Sequence, residues 1–124
     1  IKLAEGNPDI GMVIVDSMTM FYRLQDKDEE RAERRSMAGQ SAKLLSLARK
    51  KGLPVVMTSQ VFMDIDKGSV EALGGNVLHH NAKTIVRLER SGVGRRRMTV
   101  MKHRHLAEGK SAEIQLTEGG IECG

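Results

Sequence analysis

The sequence predicts an α/β protein: a mixed sheet with parallel strands, followed by a C-terminal antiparallel hairpin. Two β-branched runs, Met12-Val13-Ile14-Val15 and Val55-Val56-Met57, are separated by a segment long enough for one helix. A strand, a helix and a second strand in that order make a crossover unit, which implies a parallel pair. Beyond residue 84 the pattern changes to short alternating stretches broken by Gly-rich turns, the signature of antiparallel pairing.

Each element can be justified in order. Ile1 to Gly6 read as the last turn of a helix, and Gly6-Asn7-Pro8-Asp9 as the turn that follows it. Residues 12–15 are continuously apolar, as in a strand buried on both faces. Residues 26–51 read as a long helix. Its first third is charged, with Glu30 and Arg34 at i,i+4 spacing. Its second half is amphipathic, with Met37, Ser41, Leu44, Leu45 and Ala48 on one stripe. Arg49, Lys50 and Lys51 suit the negative end of the helix dipole, and Gly52 is placed to cap it. Residues 55–61 form the second buried strand. Residues 62–75 show no clear period, and a structureless stretch of that length is usually functional. Residues 77–82 are expected to form a short helical turn. Residues 84–89 and 98–102 are the arms of a hairpin about Ser91-Gly92-Val93-Gly94, and residues 112–117 a last short strand.

Composition limits the function classes. The chain has 124 residues, is 40% hydrophobic and carries a formal net charge of +4. No apolar run approaches the ~20 residues a membrane-spanning helix needs. A single cysteine, Cys123, cannot form an internal disulfide, so a cytoplasmic setting is expected. Aromatic residues make up only 2%, which excludes a sheet of base-stacking aromatics. The charge is concentrated. Between Arg87 and Arg104 there are seven basic residues and one acid, so the rest of the chain is slightly acidic. A polyanion would meet this segment first.

Several motifs carry chemistry. Asp16 ends an apolar strand, the pattern of a Walker B carboxylate that orients the water shell of a nucleotide-bound Mg²⁺; a turn or N-cap aspartate has the same pattern. Thr58-Ser59-Gln60 end the second strand. In a parallel sheet Gln60 would project into the same crevice as Asp16, where a neutral amide can sense a terminal phosphate. Lys102 and Arg104, two apart at a strand end, would point to one side and suit a phosphate chain; charges on an edge strand that resist aggregation are the alternative. His103 would face away. Arg23 and Lys67 lie in segments that follow the two strand ends, where mobile backbone and scattered cations can hold single-stranded nucleic acid. His79-His80 lacks the spacing of a structural zinc site.

The stretches MVIVDSMTMFYR, LLSLARKKGLPVVMTSQVFMD, GGNVLHHNAKTIVRLER and VMKHRHLAEGKSAEIQLTEGGIE, in this order, resemble the RecA superfamily of P-loop ATPases, and within it an archaeal recombinase paralogue. The resemblance implies a RecA-like ATPase core over residues 1–124, with the Walker B strand at residues 12–16 and the phosphate loop and catalytic glutamate expected upstream of Ile1. It implies ATP and Mg²⁺ as cofactors, with Asp16 and Ser17 at the nucleotide and His80 near it. It implies Gln60 as the phosphate sensor and Lys102 and Arg104 as a finger reaching a neighbouring subunit, as in the KaiC relatives. The second DNA-binding loop would run from Val61 to about Gly75, with Phe62, Met63, Lys67, Gly74 and Gly75 joining Arg23 at DNA. The implied function is DNA repair and homologous recombination beside the main recombinase, on single-stranded DNA, with homo-oligomers expected. Two departures separate this chain from the strand-exchange enzymes. Ser59-Gln60 stands where those have Asn-Gln, and Lys102 where those have an aspartate. A non-catalytic interaction module and a KaiC-type signalling ATPase are the alternatives.

Overall fold

A computed structural model describes residues 1–19, 27–64, 68–72 and 76–124. The chain divides into two compact units, Ile1–Asn81 and Ala82–Gly124.

The first unit opens with helix α1 (Lys2–Gly6), stopped at Asn7, whose amide donates to the Leu3 carbonyl at 3.1 Å. The Asn7 side chain then accepts from the Asp9 amide, the local turn that Asn-Pro-Asp predicts. Strand β1 (Val13–Val15) pairs in parallel with β2 (Val55–Met57), joined through helix α2 (Lys27–Lys51). The crossover read from the sequence is therefore present. Gly52 takes a φ of +64°, which fits its role as the helix cap.

Burial on α2 follows a period of three to four. Met37, Ser41, Leu44 and Leu47 are buried, and Leu47 is the most deeply placed at 1% exposure. The buried stripe thus takes in Leu47, which the expected stripe left out, while Leu45 and Ala48 are only half-buried. Helix α3 (Asn76–Asn81) packs on α2 through Leu78, and the Asn81 amide donates to the buried Ser41 hydroxyl at 2.7 Å. Ser41 in turn donates to the Ala38 carbonyl, so a polar group in the core is satisfied on both counts.

Two expectations change. The strand expected to be buried on both faces is half-buried on one and open on the other: Ile14 is 64% exposed and its cross-strand neighbour Val56 is 45% exposed. Alternation along the strand turns these two away from the face that carries Val13, Val15, Val55 and Met57. The run 55–61 is also not one strand. It breaks at residues 58–60, and Val61 begins a hairpin of β3 (Val61–Asp64) and β4 (Ser69–Ala72) with Gly68 at a φ of +63°. The segment expected to lack structure is therefore partly a two-stranded ladder. Val61-Phe62-Met63 are strand formers, and a glycine lies where the chain reverses.

The second unit is a four-stranded antiparallel sheet in the order β5 (Ile85–Gly92), β6 (Arg95–Lys102), β7 (Ser111–Thr117) and β8 (Gly120–Cys123). The antiparallel hairpin is present and extends into a longer sheet. Gly94 turns β5 into β6 at a φ of +67°, and its carbonyl accepts from the Leu116 amide. The sheet sorts by alternation: Val86, Leu88, Met98, Leu116 and Ile121 occupy one face, while Glu89, Arg97 and Glu113 occupy the other. Glu113 accepts from the Ser91 hydroxyl and from Arg97 at 2.7 Å. These hydrogen bonds, with the nearby arginine charge, hold its carboxyl below the usual carboxylate range.

Two outcomes are expected. Leu47→Ala should destabilise the chain by about 3 kcal/mol in denaturant unfolding, because it empties the most deeply buried position of the α2 stripe. Glu113 has a depressed folded-state pKa, so its contribution is present above the ordinary carboxylate pKa and is lost as pH falls through the lower, folded value. Glu113→Gln should therefore lower the melting temperature slightly at neutral pH, and the difference from wild type should close in strong acid.

Candidate nucleotide site

The parallel register sets Val13 opposite Val55, Ile14 opposite Val56 and Val15 opposite Met57, so both strands end at the same edge of the sheet. The first residues past that edge are Asp16 and Thr58. The ladder continues briefly: the Thr58 amide donates to the Val15 carbonyl at 3.0 Å, and the Met18 amide to the Thr58 carbonyl at 2.9 Å. Those bonds bring the two strand ends together. The Thr58 hydroxyl donates to Asp16 Oδ1 at 2.5 Å, a short contact between a neutral donor and a carboxylate. One peptide further on, the Gln60 amide donates to the Thr19 hydroxyl at 3.0 Å.

Asp16 is exposed. With Oδ1 held by Thr58, Oδ2 has no partner among the described residues. A carboxylate oxygen left open beside the Thr58 hydroxyl is a hard donor, which fits Mg²⁺ and its water shell. The Asp16–Ser17 peptide bond is cis. The Gln60 side chain is also exposed at this edge, and its backbone is fixed by Thr19, which is only 2% exposed. Asp16 and Gln60 therefore both follow strands that end at the same edge, and both are exposed there.

The other expected residues divide. His80 is exposed on α3 and makes no hydrogen bond or ion pair among the described residues. Phe62 and Met63 lie on β3 rather than in a loop. Arg23, Lys67, Gly74 and Gly75 lie outside the described residues. Lys102 and Arg104 belong to the second unit. Lys102 is the last residue of β6, opposite Ile85, and Arg104 stands in the bend that follows, so the strand alternation expected to align them stops between them. The His103 ring is engaged locally: its Nδ1 accepts from the amides of His105 and Leu106.

Sequence reasoning missed the two hydroxyl holders. Thr58 was read only as part of a polar strand end, and Thr19 was not singled out at all. A threonine three residues after a strand aspartate carries no local pattern; only the approach of the two chain ends gives it a partner.

Parallel strands that end together at one edge, with a carboxylate past one and an amide past the other, fit an α/β core of the RecA-like fold. The Rad51 family model matches residues 3–123, and the chain belongs to that family. It is 40% identical to the DNA repair and recombination protein RadB of Thermoplasma acidophilum, over 98% of this chain and 53% of that protein. It is 46% identical to the protein of the same name from Halobacterium salinarum, over 90% of this chain and 49% of that one. A crystal structure of the RadB recombinase superposes with a TM-score of 0.76 at 31% identity, over 99% of this chain and 56% of that one. The chain spans about half the length of these relatives.

Thr19→Val should leave the Gln60 amide without its acceptor, speed its hydrogen exchange and cost about 1 kcal/mol in denaturant unfolding. Thr19→Ser should keep both near wild type. Equal exchange of the Gln60 amide in all three proteins would count against the assignment.

Proposed function

We propose that this chain is the Walker B half of the ATPase core of a recombinase paralogue that binds ATP and DNA in DNA repair and homologous recombination, beside the main recombinase. The observation that carries the reading is the Asp16–Thr58 hydrogen bond at the shared end of two parallel strands, with Gln60 anchored next to it. The relatives, named for DNA repair and recombination, support the same reading.

In this role Asp16 orients metal-bound water, and Thr58 keeps its carboxylate in one rotamer. Gln60 offers a neutral amide to the terminal phosphate, and Thr19 fixes the backbone from which it reaches. Because β3 begins at Val61, a shift of Gln60 passes directly into the first strand of the following hairpin, the segment proposed to meet DNA through Phe62, Met63, Lys67, Gly74 and Gly75, with Arg23 from the segment after β1. Ser17 and His80 are assigned to the nucleotide's surroundings. Lys102 and Arg104 supply positive charge to phosphate, on a neighbouring subunit's nucleotide where the protein self-associates. When bound, ATP·Mg²⁺ supplies the phosphoryl chemistry that these side chains orient.

The concentration of basic residues between Arg87 and Arg104 favours a polyanionic partner in its own right. Affinity for single-stranded DNA should therefore fall steeply with salt.

In the full-length protein, Asp16→Ala should depress ATP turnover by about a hundredfold, on the order of losing one preorganised electrostatic group. Unchanged turnover would remove the Walker B role from Asp16. Thr58→Val should give a smaller loss, read in the same assay.

A further inference from the structure

The sequence read His103 as a residue turned away from the pair it separates, and nothing in the proposed nucleotide chemistry uses it. The structure gives it a local role of its own. Strand β6 ends at Lys102, and residues 104–106 form a bend. The His103 ring folds over that bend, and its Nδ1 lies 3.0 Å from the amide nitrogen of His105 and 3.0 Å from that of Leu106. Two donors converging on one ring nitrogen need its lone pair, the acceptor role that the Nε2–H tautomer provides. An Asx turn uses an Asn or Asp oxygen in the same way to organise the backbone two and three residues on. The His105 ring meets the His103 ring edge-on, with centroids 6.1 Å apart.

We propose that His103 is a positioning residue for Arg104: its Nδ1 caps the 104–106 bend and so sets where the Arg104 guanidinium stands to meet a phosphate. The inference rests on the reading of Arg104 as phosphate-facing. The phosphate belongs either to a nucleotide or to a nucleic-acid backbone; the two share one chemistry, and the assay arms separate them.

Side-chain length provides the test. Asn carries an acceptor in the place of Nδ1, whereas Gln reaches only as far as Nε2. In the full-length protein, His103→Asn should keep ATP turnover and single-stranded DNA affinity near wild type. His103→Gln and His103→Leu should lose about tenfold, as expected for two backbone hydrogen bonds. A loss in turnover alone assigns the nucleotide phosphate, and a loss in salt-dependent DNA affinity alone assigns the backbone phosphate. Amide hydrogen exchange reports the cap independently of any phosphate: the His105 and Leu106 amides should be protected in wild type and His103→Asn and unprotected in His103→Leu. An Asn variant as impaired as the Leu variant, or a His103 proton found on Nδ1 by nitrogen NMR, would overturn the proposal. Arg104→Ala separates the two ideas. If it changes neither assay while the exchange pattern holds, the phosphate role of Arg104 falls and the cap stands without it.

Discussion

Everything described at the candidate site depends on the parallel pairing of β1 with β2. Parallel strands cannot be joined by a tight turn, so the chain needs a crossover, and α2 provides it. The crossover has a consequence for chemistry: both strands run the same way, so both C-terminal ends arrive at one edge. Asp16 and Thr58, which are 42 residues apart in sequence, become hydrogen-bonded neighbours there. An antiparallel pairing of the same two runs would set the end of one strand beside the start of the other and separate these groups by the length of the ladder.

The site built on that edge is made of neutral holders around a charged centre. Thr58 donates to Asp16 without neutralising it, and Thr19 accepts from the Gln60 backbone without competing for its side chain. A lysine or arginine in the place of Thr58 would compensate the carboxylate and weaken its pull on a cation. Burial is divided accordingly. Thr19, which has only a backbone to hold, is in the core, while Asp16 and Gln60 stay exposed where a ligand can reach them.

The parts of this structure legible in the sequence are those governed by repetition. The α2 crossover, its Gly52 cap, the β5–β6 hairpin and the order of Asp16 and Gln60 at strand ends all follow from hydrophobic period and turn residues. The parts that were not legible fall where repetition stops. The break at residues 58–60 is invisible in an apolar run that resumes at Val61. The burial of Leu47 on α2, beyond the expected stripe, depends on which neighbours cover the helix. The exposure of Ile14 and Val56 depends on what lies over the second face of the β1–β2 pair, which alternation alone does not say.

The same rule explains why the positioning residues were the hardest to foresee. At each strand end the ladder runs out, and backbone amides that would have paired with a neighbouring strand need other acceptors. Past β2, the Gln60 amide finds the Thr19 hydroxyl; past β6, the His105 and Leu106 amides find the His103 ring. In both places a side chain takes over the ladder's work within a few residues of a group assigned to phosphate. This follows from geometry. A ligand-facing residue has to leave the sheet to reach the ligand, and leaving the sheet frees amides that must be held in place if the residue is to be held in place. The acceptor that holds them therefore belongs to the site as much as the group that touches the ligand, although it carries no recognisable spacing.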